Sequence, residues 1–288
     1  MTTDLTGLGR RRPISERTAL DLLREGIHDL ISRQRLVRHL VSAEMKRTHA
    51  DTIIGRVWWV IDPILQMFVY WILVAVIFQR KTPDILLFLF AGVLPWKWFS
   101  TSLGETATSV VGRVQLIKQI QFPKLVLPTA GTLAAGIAFA YGIWTLIAMY
   151  VIYPGRLSIW VLALPLVAAV QFVFTLALGI LLAPLNAFFR DVQNVMRHAV
   201  RLWFYLTPVI YSLNDLSPDS LAYRILRLNP MAPIITSYRD ILYGNGTVPH
   251  GVAPEWEGLA VVLLLSTILL GVAIISFKRV EPALARIL

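Results

Sequence analysis

The residues whose types could support chemistry are few in this chain and lie far apart in the sequence. There is no cysteine, and no glycine-rich sequence ends in the Gly-Lys-Ser/Thr that holds ATP phosphates. The five histidines lack the spacing of metal ligands: His28, His39, His49, His198 and His250. We therefore expect no metal, no cofactor and no catalytic residue in this chain.

The composition places the chain in a membrane. Of its 288 residues, 56% are hydrophobic and 15% are charged, whereas about a quarter of the residues in a soluble domain are charged. So little polar surface could not coat a water-soluble particle of this size, and a disordered chain would be less apolar. The net charge of +10 then indicates orientation and contact with anionic lipids, and we expect no nucleic-acid partner.

Residues 1–56 are interpreted as a cytoplasmic or interfacial segment, because they lack the apolar stretch of a signal peptide. Ser15 could cap a helix, and apolar residues then recur mostly at steps of three or four, between cationic ones. The pattern is typical of an amphipathic helix in the headgroup plane and equally of one packed on a partner subunit. The apolar positions are Leu20, Leu23, Ile27, Leu30, Val37, Val41 and Met45.

Six stretches are long and apolar enough to cross a hydrocarbon core, which takes about 20 residues. They lie near 57–78, 85–103, 128–152, 158–182, 200–213 and 258–277, and the fifth, short by itself, is expected to borrow a turn from residues 194–200. The apolar run 231–243 is too short to span and predicts a re-entrant or interfacial helix pair before the last span. The predicted fold is therefore all-α, with a six-helix transmembrane domain at 57–277 and a cytoplasmic tail at 278–288.

Lysine and arginine sort strongly to one side of these six spans. The side that holds both termini carries twenty of them, in 1–56, 104–127, 183–201 and 278–288, and the opposite loops carry six. Loops rich in these residues stay on the cytoplasmic face. We therefore expect a multi-pass protein with both termini in the cytoplasm.

The loop between the second and third spans predicts a short amphipathic helix near 105–120. Its polar positions, Arg113 and Lys118 among them, are expected to be solvated, and prolines follow the helix. The helix favours docking on a partner protein; a loop on the membrane surface without a partner is the alternative. The apolar face consists of Val110, Val114, Ile117 and Ile120.

Aromatic residues crowd the first two predicted spans. Indole rings sit well at headgroup level, so an interfacial belt explains part of the set. Tyr70 and Trp71 lie deep in their span, where a belt is a weaker account. Because aromatic faces stack on sugar rings, a carbohydrate conduit is the second interpretation. The set is Trp58, Trp59, Tyr70, Trp71, Trp96, Trp98 and Phe99.

An ordered set of motifs resembles the ABC-2 type permeases that export polysaccharides. Each motif is weak alone, but together they run at compatible spacing from about residue 50 to 245. They are Gly55-Arg-Val-Trp-Trp-Val-Ile-Asp62-Pro63, Gly92-Val-Leu-Pro-Trp96, Leu116-Ile-Lys118, Phe122-Pro-Lys124, Leu127-Pro128, Asn186-Ala-Phe-Phe-Arg-Asp191, Thr207-Pro-Val-Ile-Tyr211 and Asn229-Pro-Met-Ala-Pro233.

The resemblance implies the membrane subunit of an exporter in the bacterial inner membrane. Such a subunit forms a homodimer, works with two copies of a separate ATPase that carry ATP and Mg²⁺, and moves polyprenyl-diphosphate-linked glycans such as O-antigen or teichoic acid. By analogy, 105–120 is the coupling helix and Arg190-Asp191 lies in the second cytoplasmic loop.

The same analogy implies further roles. The helix pair containing Asn229, Pro230 and Arg239 would form an outer gate. Arg47 and Arg56, near the inner headgroups, are candidates for the lipid diphosphate, because paired cations suit phosphate oxygens; simple anchoring by positive charge is their other interpretation.

Alternative functions remain open from the residues alone. An ABC-2 permease for a drug or a lipid would line its cavity with aliphatic side chains instead of aromatic ones. A polyprenyl-phosphate glycosyltransferase would need clustered carboxylates, but Asp215 and Asp219 have no third acid close by. A proton-driven transporter finds no support, because the charged residues at membrane depth are few: Asp62, Lys97 and Glu105.

Overall fold

The computed structural model describes residues 17–48, 52–79, 82–245, 248 and 250–287. Within these ranges the regular structure is helical and contains no strand, which confirms the all-α prediction. The α-helices are α1 (Ala19–Ser32), α2 (Gln34–Thr48), α3 (Trp58–Trp71), α4 (Ile85–Thr108), α5 (Val114–Gln119), α6 (Val126–Ile152), α7 (Leu164–Phe188), α8 (Val192–Tyr205), α9 (Leu221–Arg227), α10 (Met231–Leu242) and α11 (Trp256–Ile287).

Five helical stretches in the described part of the chain are long and apolar enough to cross a membrane. Two of these stretches contain a second type of helix: α3 continues as a π-helix through Ile77, and a 3₁₀-helix precedes α7. The chain is therefore a multi-pass membrane protein. The stretches are Trp58–Ile77, Ile85–Thr108, Val126–Ile152, Ile159–Phe188 and Trp256–Leu284.

The span predicted at 200–213 is wrong as a continuous transmembrane helix. α8 begins earlier, at Val192, and ends at Tyr205 after 14 residues, and turns and bends follow through residue 211. Pro208 has no N–H to extend the helical ladder. α8 is also strongly amphipathic, with Arg197 and Arg201 exposed.

The last helix also differs from the prediction at its end. α11 does not stop near 277 but continues as helix through Ile287, past an internal proline, Pro282. The predicted tail at 278–288 is therefore helical as far as the structure describes it. Its first residue, Lys278, is buried.

Three loops meet at one end of the bundle, around Arg156. The Arg156 guanidinium donates to Asp84 Oδ2 at 2.8 Å and to the Tyr243 carbonyl at 3.0 Å. The Tyr243 hydroxyl donates to the Pro83 carbonyl at 2.9 Å, and the Gly251 N–H donates to the Arg156 carbonyl at 3.2 Å. We call this the Arg156 end.

The opposite end gathers the remaining connections around Glu281. One Glu281 oxygen accepts from the Lys124 backbone N–H at 2.6 Å, and the other accepts from Lys278 at 2.9 Å. Lys278 also donates to Asp29 of α1 at 2.7 Å. The loop before α6, the end of α11 and the N-terminal helices therefore share this Glu281 end.

The described part of the N-terminal segment packs on its own chain, an arrangement that neither interpretation of the sequence included. It forms two helices, and Thr18 caps the first in a capping box with Asp21; the predicted cap, Ser15, lies outside the described residues. α1 packs on α11 and α2 packs on α6. Leu20 and Ile31 of α1 remain exposed, so an apolar surface is still available to lipid.

α4 lies at the centre of the bundle, and Gly92 brings it close to the turn after α8. A β-carbon at Gly92 would lie 2.6 Å from the Val209 carbonyl oxygen and 3.0 Å from the Arg239 guanidinium. Because a backbone atom sets the closer contact, no side-chain rotation relieves it. Glycine is therefore required where α4 passes residues 206–211.

We expect Gly92→Ala to destabilise the protein by about 1–3 kcal/mol, as overpacking of a filled core does. The measurement is the thermal unfolding midpoint of purified protein in detergent. Gly104→Ala is the matched control, since it lies on the same helix with nothing within 4 Å of its β-carbon. Equal midpoints for the two variants would contradict this packing.

Candidate transport site

Arg239 of α10 holds the non-helical residues that follow α8. Its guanidinium is buried and donates to the Val209 carbonyl and to the Tyr211 carbonyl, both at 2.8 Å. The same group lies over the Phe88 ring, 4.0 Å from its centroid. Carbonyls outside the helical ladder need such donors when they are buried. Arg239 therefore stabilises an interrupted backbone next to α4.

Asn229 makes the second attachment between α8 and α10. Its side-chain NH₂ donates to the Leu206 carbonyl and the Thr207 hydroxyl, both at 2.7 Å. Its oxygen accepts from the Trp203 indole at 2.8 Å and from the Met231 N–H at 2.9 Å. Pro230 follows at the N-cap of α10. Two of the three residues predicted for an outer gate, Asn229 and Arg239, thus bind the same interrupted segment.

The run 231–243, predicted to form a helix pair, forms the single helix α10, and the short helix α9 precedes it. α9 has only seven residues and exposes most of its side chains, whereas α10 packs on α4, α7 and α11. α10 is therefore the element that carries the two attachments.

The predicted aromatic residues separate into a buried group and a partly exposed group. Trp59, Trp96, Trp98 and Phe99 are buried by their own chain, and Trp58, Tyr70 and Trp71 on α3 are partly exposed. The buried rings stack on protein rings, as Phe99 does on Phe174 at 5.7 Å and Trp98 on Phe139 at 4.8 Å. Only the partly exposed group of this set presents ring surface to a ligand in the described chain.

A small cavity of about 110 Å³ lies between α3, α4 and α6. Asp62 and Lys97, two of the charged residues noted at membrane depth, form an ion pair at its wall. Trp59 and Trp98 also line it. Mutual neutralisation lets two charges lie on neighbouring helices at this depth.

The helix predicted at 105–120 is shorter and less exposed than its sequence indicates. Residues 105–108 complete α4, a 3₁₀ turn covers Val111–Arg113, and α5 covers Val114–Gln119. Val110 is fully buried, and Ile117 packs against the same core. The apolar face therefore points largely into the protein. We refer to residues 111–124 as the 111–124 segment.

The exposed surface of the 111–124 segment consists mainly of polar side chains. Ile120 is the exception, with 47% of its surface accessible. Lys118 is exposed as predicted. The exposed positions are Gly112, Gln115, Lys118, Gln119, Ile120 and Gln121.

Arg113, expected at a solvated or rim position, is mostly buried. Its side chain is 18% exposed and forms an ion pair with Glu44 of α2, whose side chain is 6% exposed. Sequence reasoning missed Glu44, although a signal exists. Glu44 is the only acidic residue in α2 and continues the buried stripe of Val37, Leu40 and Val41 at helical spacing.

Of the two proposed diphosphate ligands, the structure describes the side chain of Arg47 alone. Arg47 donates from Nε to Glu44 Oε1 at 3.1 Å, and this hydrogen bond raises the pKa of Arg47 above its ordinary value. Its side chain is nevertheless 74% exposed. The side chain of Arg56 lies outside the described part of the chain.

Arg190 and Asp191 lie in the short connection between α7 and α8, and both are exposed. The Asp191 carbonyl accepts from the N–H groups of Asn194 and Val195 at 3.0 Å, so Asp191 starts α8. Asn186 reinforces the turn by accepting from the Gln193 N–H at 3.1 Å. This connection is the predicted second loop, and its two charges are free to face solvent.

The comparison with known families settles the classification. A profile described as ABC-2 type transporter matches residues 35–243, which is most of the chain. This chain belongs to the ABC-2 type transporter family. The match extends from α2 through α10, so α2, inside the segment interpreted as 1–56, lies within the family's shared region.

Individual relatives of this ABC-2 protein agree with the classification. It is 33% identical over 253 residues to the O-antigen export system permease protein RfbA of Myxococcus xanthus, which covers 88% of this chain and 95% of that protein. It is 28% identical over 250 residues to a protein of the same name from Klebsiella pneumoniae, with 86% and 93% covered. The resemblance identified from the motifs is confirmed.

We expect Arg239→Gln to destabilise this ABC-2 protein by about 2–3 kcal/mol, since hydrogen bonds from a charged donor are lost and buried carbonyls are left unpaired. The thermal unfolding midpoint in detergent measures the effect. Arg224→Gln is the matched control, because Arg224 is exposed on α9. A midpoint for Arg239→Gln equal to that of the control would show that residues 206–211 do not depend on this guanidinium.

Proposed function

We propose that this chain is the membrane subunit of an ATP-driven exporter that carries O-antigen, linked to polyprenyl diphosphate, across the bacterial inner membrane. The proposal rests on one observation: this chain is 33% identical to the M. xanthus O-antigen export permease across 95% of that protein. A relative that matched only one segment would support the fold alone. The names of the relatives favour O-antigen over teichoic acid as the glycan.

The proposed topology has six crossings with both termini in the cytoplasm. α7 ends and α8 begins near the Glu281 end, whereas α11 begins at the Arg156 end, so the chain must return between them. In this proposal α8 and the interrupted residues 206–211 make that crossing together. The Glu281 end is cytoplasmic, because the loops gathered there hold most of the Lys and Arg.

ATP hydrolysis is assigned to a separate ATPase subunit, present in two copies, that carries ATP and Mg²⁺. The 111–124 segment supports this assignment, since it lies at the cytoplasmic end and exposes a polar surface around Ile120. Arg190 and Asp191 lie on the same side and are a second contact in this proposal.

The conduit is assigned to the interface of a homodimer. α3 is strongly apolar and mostly exposed within one chain, and it carries the partly exposed rings of Trp58, Tyr70 and Trp71. Two copies of this face can line a sugar-wide path that one thin bundle cannot enclose. Two-fold pairing is the commonest symmetry of homo-oligomers.

The two ends of the proposed glycan path are assigned to separate groups of residues. Arg47 keeps most of its guanidinium accessible while it is bound to Glu44, so with Arg56 it is proposed to meet the lipid diphosphate at the cytoplasmic face. The α10 attachments made by Asn229 and Arg239 are proposed to support an outer gate, with Pro230 starting the gate helix.

The decisive experiment is complementation. Bacteria from which the gene has been deleted should lose surface O-antigen, accumulate the lipid-linked glycan inside, and recover display when the chain and its ATPase are both supplied. Normal display in the deletion strain, or accumulation of a drug or lipid instead of glycan, would refute the assignment. Native mass measurement of the complex tests the proposed two copies of each subunit.

Ile120→Asp should weaken co-purification of the ATPase by about tenfold or more, the effect of charging one well-placed interface residue. Folding should be unaffected, because Ile120 is exposed. Ile117→Asp should instead lower the amount of folded protein, since Ile117 packs against the core. Leu228→Asp is the control, as Leu228 is exposed beside the start of α11 at the other end. Retained ATPase with Ile120→Asp would place the contact elsewhere.

A further inference from the structure

The 111–124 segment is held on both sides by ionic contacts, and both contacts lead to the N-terminal helices. At its start, Arg113 pairs with Glu44 of α2. At its end, the Lys124 N–H donates to Glu281, and Lys278 connects Glu281 to Asp29 of α1. α1 and α2 therefore bracket the segment that is proposed to receive the ATPase.

Glu44 is the central residue of the first contact. Its side chain is almost wholly buried, and its two oxygens have different partners, Arg113 on Oε2 and Arg47 on Oε1. Glu105 of α4 lies within electrostatic range of all three groups. A buried carboxylate is tolerated only when its partners are well placed, so the position of Arg113 is tied to that of Glu44.

α2 is firmly joined to a membrane-crossing helix. Val37, Leu40 and Val41 are buried in one core cluster together with Val126 and Ala130 of α6. α5, by contrast, has six residues, and Arg113 at its N-cap is held by the ion pair with α2.

We infer that Glu44 is a positioning residue for energy coupling. Through Arg113 it makes α2 move with the 111–124 segment, so that a displacement imposed by the ATPase reaches α6. The inference rests on the proposed function, because it needs an ATPase that displaces the segment. If Glu44 served only to pack the 111–124 segment against α2, it would stabilise the protein without transmitting this displacement.

The test uses Glu44→Gln in the complete complex of permease and ATPase. We expect the ATPase to remain bound and its ATP turnover to stay near that of the wild type. Export of glycan per ATP hydrolysed should fall about tenfold, as expected for loss of one charge-assisted hydrogen bond. Arg113→Gln should have the same effect, and the double variant should add little to it. Arg38→Gln, at an exposed cation of α2, is the control and should match the wild type.

A second variant separates coupling from folding. The natural chain has no cysteine, so Glu44→Cys with Arg113→Cys introduces a unique pair that a bifunctional thiol reagent can join. The untreated pair should be poorly coupled, and joining it should restore export per ATP. Comparing the double-cysteine protein before and after cross-linking separates coupling from folding, because both measurements use the same folded protein. The same comparison replaces Glu44→Gln if that variant does not accumulate.

The possible outcomes are distinguishable. A parallel loss of complex, ATP turnover and export, with an unchanged ratio of export to hydrolysis, would overturn the inference and leave Glu44 a structural residue. An unchanged ratio in every variant, or no recovery after joining the cysteines, would overturn it as well. If the wild-type complex hydrolyses ATP but exports no glycan, the proposed function fails, whatever the variants do.

Discussion

Backbone carbonyls that leave a helical ladder need other hydrogen-bond donors, and this requirement governs the part of the chain after α8. Residues 206–211 leave the helical ladder, and the Arg239 guanidinium and the Asn229 amide satisfy their carbonyls. The position of α10, the need for glycine at residue 92 and the close approach of α4 all follow from this arrangement. A segment that interrupts a helix can thus be ordered by donors from elsewhere in the chain.

The Glu281 end is organised differently, by ion pairs between helices instead of by donors to a broken backbone. Lys278 meets Glu25, Asp29 and Glu281, so a buried ammonium joins the first helix to the last. Glu44 joins the second helix to the 111–124 segment. These contacts make the N-terminal helices part of the bundle, and they place a defined surface at the end where the ATPase is proposed to bind.

Much of the architecture could be predicted from the sequence, because its signals are local. Runs of apolar residues identified five crossing stretches, and the ordered motifs identified the family. Residues 200–213 were predicted as one continuous helix, because hydropathy does not reveal that Arg239, far along the chain, donates to the carbonyls after α8. Trp96 and Phe99 were assigned to a conduit because the sequence records ring type and spacing but not which rings cover one another.

The sequence by itself determined that this is a multi-pass ABC-2 protein without a nucleotide-binding sequence, through its composition, its Lys and Arg asymmetry and the order of its motifs. The spans could be identified in this way because lipid solvates every residue of a span regardless of its neighbours. Only the tertiary structure decided which polar groups are partners. Arg113 looks solvated on its own short helix, yet Glu44 reaches it from α2. Ile117 looks like part of a docking face, yet it is partly buried against the core of its own chain. Helical periodicity can indicate which face of a helix is buried, but it does not identify the partner, which comes from an element distant in sequence.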